Sequence, residues 1–168
     1  MADIFLILVI TFLAIFFIWI SSALFGAPFQ PSSDKELKEI MELANVKKGQ
    51  KTADLGSGNG KIVIEFAKHG AYAHGFEINP LLVLLSQKRI KKLGLQNNAT
   101  IHWKNFMKQN FSDFDIITSF QISYIMPDLE EKLMRELKSS SRVVSNTWKF
   151  PKWKPKRKMG HVYLYKKD

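Results

Sequence analysis

Two hydrophobic patterns divide the chain. Residues 4–25, IFLILVITFLAIFFIWISSALF, form an apolar run of 22 residues without a charge. After Pro31 the apolar positions become periodic. Leu37, Ile40, Met41 and Ala44 recur at helical spacing. They follow Ser33-Asp34-Lys35-Glu36, in which a serine hydroxyl and a glutamate three residues on can each satisfy a free helix-end amide. Beyond a turn at 47–50, short strand-like runs alternate with helical ones. The pattern predicts strands over 51–55, 71–77, 99–103, 115–120, 142–147 and 161–165. It predicts helices over 61–68, 81–92 and 127–138, the last with Leu129, Leu133, Met134 and Leu137 on one face. Asn79 and Pro80 supply the cap and first turn of the middle helix, and Gly94 closes it. This alternation implies βαβ units and a mainly parallel sheet. Right-handed crossovers then make a doubly wound α/β sandwich. No internal repeat and no low-complexity linker interrupts it, and the domain is too small for added substrate-binding lobes.

The apolar run is long enough to cross a bilayer core, since 22 residues at about 1.5 Å each reach roughly 33 Å. Trp19 suits an interface, and Gly26, Pro28 and Pro31 end the helix. A secretory signal needs a basic start and a shorter apolar core, whereas this chain starts Met-Ala-Asp. The expectation is an uncleaved transmembrane anchor over 1–26 followed by one domain over 27–168; a signal peptide and a buried core helix are the alternatives. Charge agrees with that division. The 168 residues carry a formal net charge of +10, yet no Lys or Arg precedes Lys35. Positive residues on one side only place the domain on the cytoplasmic face. The absence of cysteine excludes a thiol nucleophile, a cysteine metal site and disulfides.

The chemistry concentrates in Asp54-Leu55-Gly56-Ser57-Gly58-Asn59-Gly60, which follows a strand and opens a helix. Glycines allow a tight turn and close approach of a ligand, and the helix start behind them offers free amides. Glu77 ends the next strand, where a carboxylate can accept both hydroxyls of a ribose. A dinucleotide fingerprint needs G-x-G-x-x-G, but here the third glycine falls at Gly60 and the next residue is Lys61. A glycine-rich turn with no ligand is the plain alternative. The D-x-G-x-G-x-G spacing with Glu77 beyond it resembles motif I of the class I S-adenosylmethionine-dependent methyltransferases. That resemblance implies their Rossmann-like sandwich and S-adenosylmethionine as cofactor. It implies cofactor contacts from Asp54, Gly56, Ser57, Gly58 and Gly60, with Glu77 on the ribose and Asn105 and Phe106 at the adenine; a simple Asn loop and a core Phe are the alternative for the last two. The fourth strand ends in Phe120-Gln121-Ile122-Ser123-Tyr124, without the Asn/Asp-Pro-Pro-Tyr/Phe motif of nucleobase amino-methyltransferases. Asn79-Pro80 is not that motif, because it follows the second strand and caps a helix. Base methylation and a nucleic-acid partner are therefore not expected.

The order of parts resembles a narrower group: the small membrane-anchored lysine-specific protein methyltransferases, including the ATP-synthase c-subunit and adenine-nucleotide-translocase enzymes and an archaeal relative. Those carry x-Val-Pro-Ser/Thr before the first helix, where this chain has Phe29-Gln30-Pro31-Ser32, with Gln30 departing from the pattern. Arg142-Val143-Val144-Ser145-Asn146-Thr147, with Trp153 and Pro155, also resembles the last third of such proteins. The resemblance implies a membrane-proximal protein lysine as acceptor, with Phe120, Tyr124 and Phe29 as candidates for an apolar channel that keeps the amine neutral; core packing is the alternative for Phe120. A methyltransferase of a lipid headgroup or small amphiphile, and a non-catalytic membrane-tethered binding module, are the other readings. The segment 149–158 interleaves bases with aromatics. It suits an anionic membrane surface or a lysine-guarded edge strand. His69, His74, His102 and His161 stand far apart in the sequence and match no metal spacing, so no metal is expected.

Overall fold

The computed structural model describes residues 4–13, 16 and 32–167. The chain divides into two units, Met1–Gln30 and Pro31–Asp168. In the first, residues 4–13 are helical with exposed side chains. The rest of the expected span, residues 14–15 and 17–25, lies outside the described residues, as do Phe29 and Gln30. Among the described residues, no helix is long and apolar enough to cross a membrane.

The second unit is a seven-stranded mixed sheet. Its strands are β1 (Lys51–Leu55), β2 (Tyr72–Glu77), β3 (Ala99–Trp103), β4 (Ile116–Ser119), β5 (Arg142–Asn146), β6 (Arg157–Met159) and β7 (Val162–Lys166), in the order β3-β2-β1-β4-β5-β7-β6. The first five are parallel and β7 and β6 are antiparallel additions. The helices are α1 (Asp34–Ala44), α2 (Lys61–Lys68), α3 (Pro80–Lys92) and α4 (Met126–Glu136). Strand order reverses at β1 and β4, and in open sheets of this kind ligands bind at the carboxyl ends of the strands beside that reversal.

Ile40 and Leu43 of α1, Val63 and Phe66 of α2, and Val83 and Ile90 of α3 join one buried cluster with Ile116, Val144 and Leu164 of the sheet. The opposite face has α4 as its one described α-helix. There Leu129 and Leu133 share a second cluster with Phe76, Ile117 and Val143, completed by Phe111, Phe114, Phe150 and Tyr165. Aromatic loops thus take the place of further helices. One such loop is fastened to α4: the buried Lys132 ammonium donates to Gln109 O and pairs with Glu136 at 2.6 Å, while Phe111 N donates to Glu136 Oε2 at 3.1 Å.

The basic segment after β5 is held the same way. Phe150 is buried, its ring 4.9 Å from Tyr165 and 5.6 Å from Trp153. Trp153 donates its indole N–H to Lys166 O at 3.3 Å, and Glu130 accepts from Lys152 N at 3.0 Å. Two of its aromatics therefore pack against the core, and the segment ends in an edge strand, β6, as one of the two expectations had it.

Candidate functional site

The capping box at the start of α1 forms as expected: Glu36 N donates to Ser33 Oγ at 3.2 Å and Ser33 N to Glu36 Oε2 at 2.7 Å. Lys61, the residue that breaks the dinucleotide pattern, reaches back from α2 to this helix start. Its ammonium donates to Ser32 O at 2.7 Å and to Asp34 Oδ1 at 2.8 Å. The ammonium in turn holds the Asp34 carboxyl below its ordinary range. The start of α1 is thereby fixed beside the glycine loop.

The loop leaves β1 through Gly56, Gly58 and Gly60, at φ 74°, 51° and 74°. Gly56 N and Ser57 N both donate to Phe76 O, at 2.8 and 3.1 Å, which ties the loop to the end of β2. Glu77, 8% exposed, follows at once. Its Oε2 accepts from Gly58 N at 2.8 Å, and its Oε1 accepts from Ile78 N and Asn79 N, each at 2.8 Å. One carboxylate thus bridges the tips of β1 and β2.

Asp54 is buried on β1, and its Oδ1 accepts from Thr118 Oγ1 of β4 at 2.7 Å. Burial pushes its carboxyl up to about 7; the charge of Glu77 adds to the rise and the Thr118 hydrogen bond opposes it. The loop therefore has two acids of different character at one strand-tip crossing.

Three further residues shape this place and escape sequence reasoning. Thr118 holds Asp54. Gln121 donates from Nε2 to Leu55 O at 2.7 Å, and a Cβ on Gly56 would stand 2.7 Å from that same nitrogen. Glycine is needed at 56 for space as well as for its positive φ. Gly75 lies beneath the loop, where an added Cβ would meet Ile101 Cδ1 at 2.5 Å and Ser57 Oγ at 2.6 Å. A lone glycine inside a strand is the signal of such close approach, so Gly75 was findable. Gly75→Ala is expected to destabilise the domain by about 1–3 kcal/mol through overpacking, read as a lower denaturation midpoint at unchanged slope.

Asp54, Gly56, Ser57, Gly58, Gly60 and Glu77 are brought together at the ends of β1 and β2. Ser57 is buried against Gly75, and its hydroxyl has no hydrogen-bond partner; the same holds for Ser119 at the end of β4. Asn105 and Phe106 follow β3. Asn105 is exposed and its Oδ1 accepts from Met107 N at 2.8 Å, capping a 3-10 turn, while Phe106 packs against the second cluster. Phe120 is half-buried just after β4, and Tyr124 is 73% exposed on the 3-10 turn Ser123–Ile125.

The histidines need a correction. Sequence distance sets all four apart, but the register of β2 with β3 brings His74 and His102 together, Nδ1 to Nε2 at 3.0 Å with rings stacked at 5.3 Å. Burial depresses both, His74 to about 4 with help from His102 and Lys51, and His102 with help from Lys104. Both are neutral at pH 7, so one ring donates to the other. Among the described residues no three metal-ligating side chains converge. Cavities of about 430 and 360 Å³ lie elsewhere, the first beside Arg142, Arg157 and Lys166 and the second beside Glu130 and Trp153.

S-adenosylmethionine combines an ammonium, a sulfonium and a ribose diol. The strand-tip arrangement fits it: Glu77 is a bridging acceptor for the diol, Asp54 is an acid for a cation, and the left-handed glycines admit close approach.

The ANTKMT methyltransferase domain matches residues 54–157. The ATP synthase c-subunit lysine N-methyltransferase of Mus musculus is 34% identical over 133 residues, covering 79% of this chain and 53% of that protein. A protein-lysine N-methyltransferase of Saccharolobus islandicus is 33% identical over 148 residues, covering 82% of this chain and 92% of that protein. The chain thus spans about half the length of the mouse protein and nearly all of the archaeal one. Among solved structures, an RNA methyltransferase from Salinibacter ruber in complex with S-adenosyl-L-homocysteine superposes with a TM-score of 0.78 at 27% identity, over 82% of this chain and 93% of that one.

Proposed function

The chain belongs to the ANTKMT methyltransferase family, and on that premise we propose that it transfers a methyl group from S-adenosylmethionine to the side-chain amine of a protein lysine. The observation that carries the proposal is the Glu77 carboxylate bonded to Gly58 N across the strand tips, on a chain whose relatives carry lysine methyltransferase names.

When bound, S-adenosylmethionine supplies a methyl group on a sulfonium, which leaves as a neutral thioether. The residues here hold and orient. Glu77 would accept from the ribose hydroxyls and Asp54 would face the ammonium. Asn105 and Phe106 would flank the adenine. No oxyanion develops in such a displacement, so alignment is the main contribution. An ordinary lysine amine, with a pKa of about 10.4, must lose its proton before it attacks. Phe120 and Tyr124 would line the approach, disfavouring the charged amine by desolvation and tolerating the methylated cation against an aromatic face.

The proposal extends to location. Residues 1–26 would anchor the chain and the domain would face the cytoplasm, supported by the uncharged run and the absence of Lys or Arg before Lys35. The acceptor would then be a membrane-proximal protein, as the name of the mouse relative suggests. Radiolabelled methyl transfer to membrane fractions, separated into protein, lipid and RNA, tests this reading. Label in protein that survives as methyllysine on hydrolysis is the expected result. Label in lipid alone would favour an amphiphile methyltransferase, and label in RNA alone would set the lysine assignment aside. Cofactor binding without turnover on any fraction would leave a binding module.

A further inference from the structure

The outward face of α3 presents Leu81, Leu84 and Leu85, at i, i+3 and i+4, exposed by 46%, 48% and 49%. Such spacing makes one stripe. Beyond the start of this helix stands Trp103, 67% exposed at the end of β3. Its indole N–H already donates to Ile78 O at 2.9 Å, so the part that meets solvent is hydrocarbon. Soluble monomers rarely group large apolar side chains in this way.

Charge around this stripe is one-signed. Residues 78–112 contain Lys88, Arg89, Lys91, Lys92, Lys104 and Lys108 and no Asp or Glu. All six cations are exposed, and none makes an ion pair among the described residues. The overall positive charge of the chain does not account for this. On α1, acids at 34, 36, 39 and 42 accompany Lys35 and Lys38; on α4, acids at 128, 130, 131 and 136 accompany Lys132 and Arg135. The basic segment after β5 differs in another way, because Phe150 and Trp153 there pack inward. The face of α3 combines exposed hydrocarbon with unopposed positive charge on a convex helix surface. That is the character of helices lying in the interface of anionic bilayers.

We propose that the α3–Trp103 face of the domain lies on an anionic lipid bilayer. The leucines and the indole sit at the boundary of headgroups and acyl chains, and Lys88, Lys91 and Lys92 lie over the headgroups. The inference stands apart from the methyl-transfer reading and from whether the N-terminal run inserts.

The chain has no cysteine, so Leu84→Cys in the full chain accepts a single polarity-sensitive fluorophore. The probe membranes are phosphatidylcholine vesicles with and without phosphatidylglycerol, carrying nitroxide-labelled acyl chains as quenchers. With phosphatidylglycerol, quenching at position 84 should exceed that at a Ser139→Cys reference by about fivefold, and K88E/K91E/K92E should remove the excess. Equal quenching at the two positions would overturn the proposal. So would quenching at 84 indifferent to phosphatidylglycerol. A blue shift that follows protein concentration without vesicles would also overturn it, showing a second copy on this face.

Discussion

Replacing Glu77 with alanine is expected to weaken binding of S-adenosylmethionine by roughly two orders of magnitude, from the loss of charge-assisted hydrogen bonds worth about 1.5–3 kcal/mol each. The same change reaches the free protein. Three backbone amides, those of Gly58, Ile78 and Asn79, donate to this carboxylate. Without it the link between the loop and the tip of β2 is reduced to the two amides on Phe76 O. Thermal unfolding should move down by several degrees for a loss of about 1–2 kcal/mol. Glu77→Gln keeps the shape and one acceptor oxygen, so it should recover much of the stability while restoring little of the affinity. Calorimetric titration together with thermal scans separates the two effects. Full affinity in Glu77→Ala would remove this residue from the cofactor site.

The second large effect comes from Asp54. Its carboxyl titrates near 7 in the fold and near 3.9 in an unfolded chain. The folded chain therefore holds this proton more tightly. The associated stability is fully present below about pH 4 and is lost as pH rises towards 7. Asp54→Asn keeps an oxygen for the Thr118 hydroxyl and carries no charge to bury. The free variant should match the wild type near pH 4 and exceed it at pH 8 by roughly 3 kcal/mol, seen in denaturant midpoints at the two pH values. Function should move the other way. A ligand cation beside Asp54 draws the carboxyl back down, so binding releases a proton. Affinity should then rise with pH by up to about tenfold per unit below 7 and level off above it. In Asp54→Asn the slope should vanish and the affinity stay low. An unchanged slope in the variant would assign the pH dependence to another group.

The two acids illustrate what a linear sequence reveals. Both stand beside recognisable signals, a glycine cluster and a strand end. The bounds of β1, α2 and β3 were legible for the same reason: each run is short, apolar and closed by a turn residue. Thr118 and Gln121 were not legible as parts of the site. They meet Asp54 and Leu55 through the pairing of β4 with β1, across 64 and 66 residues, and no local pattern records that pairing. The His74–His102 contact likewise exists through the register of β2 and β3. Strand β6 has no alternation of its own; its three residues become a strand by pairing with Val162–Leu164 of β7. At Asn105 local chemistry was ambiguous in a different sense, since one side chain can cap a turn and face a ligand with different atoms.

The central claim is that a nucleoside sulfonium lies across the carboxyl ends of β1 and β2. Following backbone amide resonances of the full chain in detergent during titration with S-adenosylhomocysteine tests it most directly. The account predicts saturable shifts that centre on Gly58, Ile78 and Asn79, the donors to Glu77. Resonances there that stay fixed, or shifts centred instead on the cavity beside Arg142 and Lys166, would contradict it.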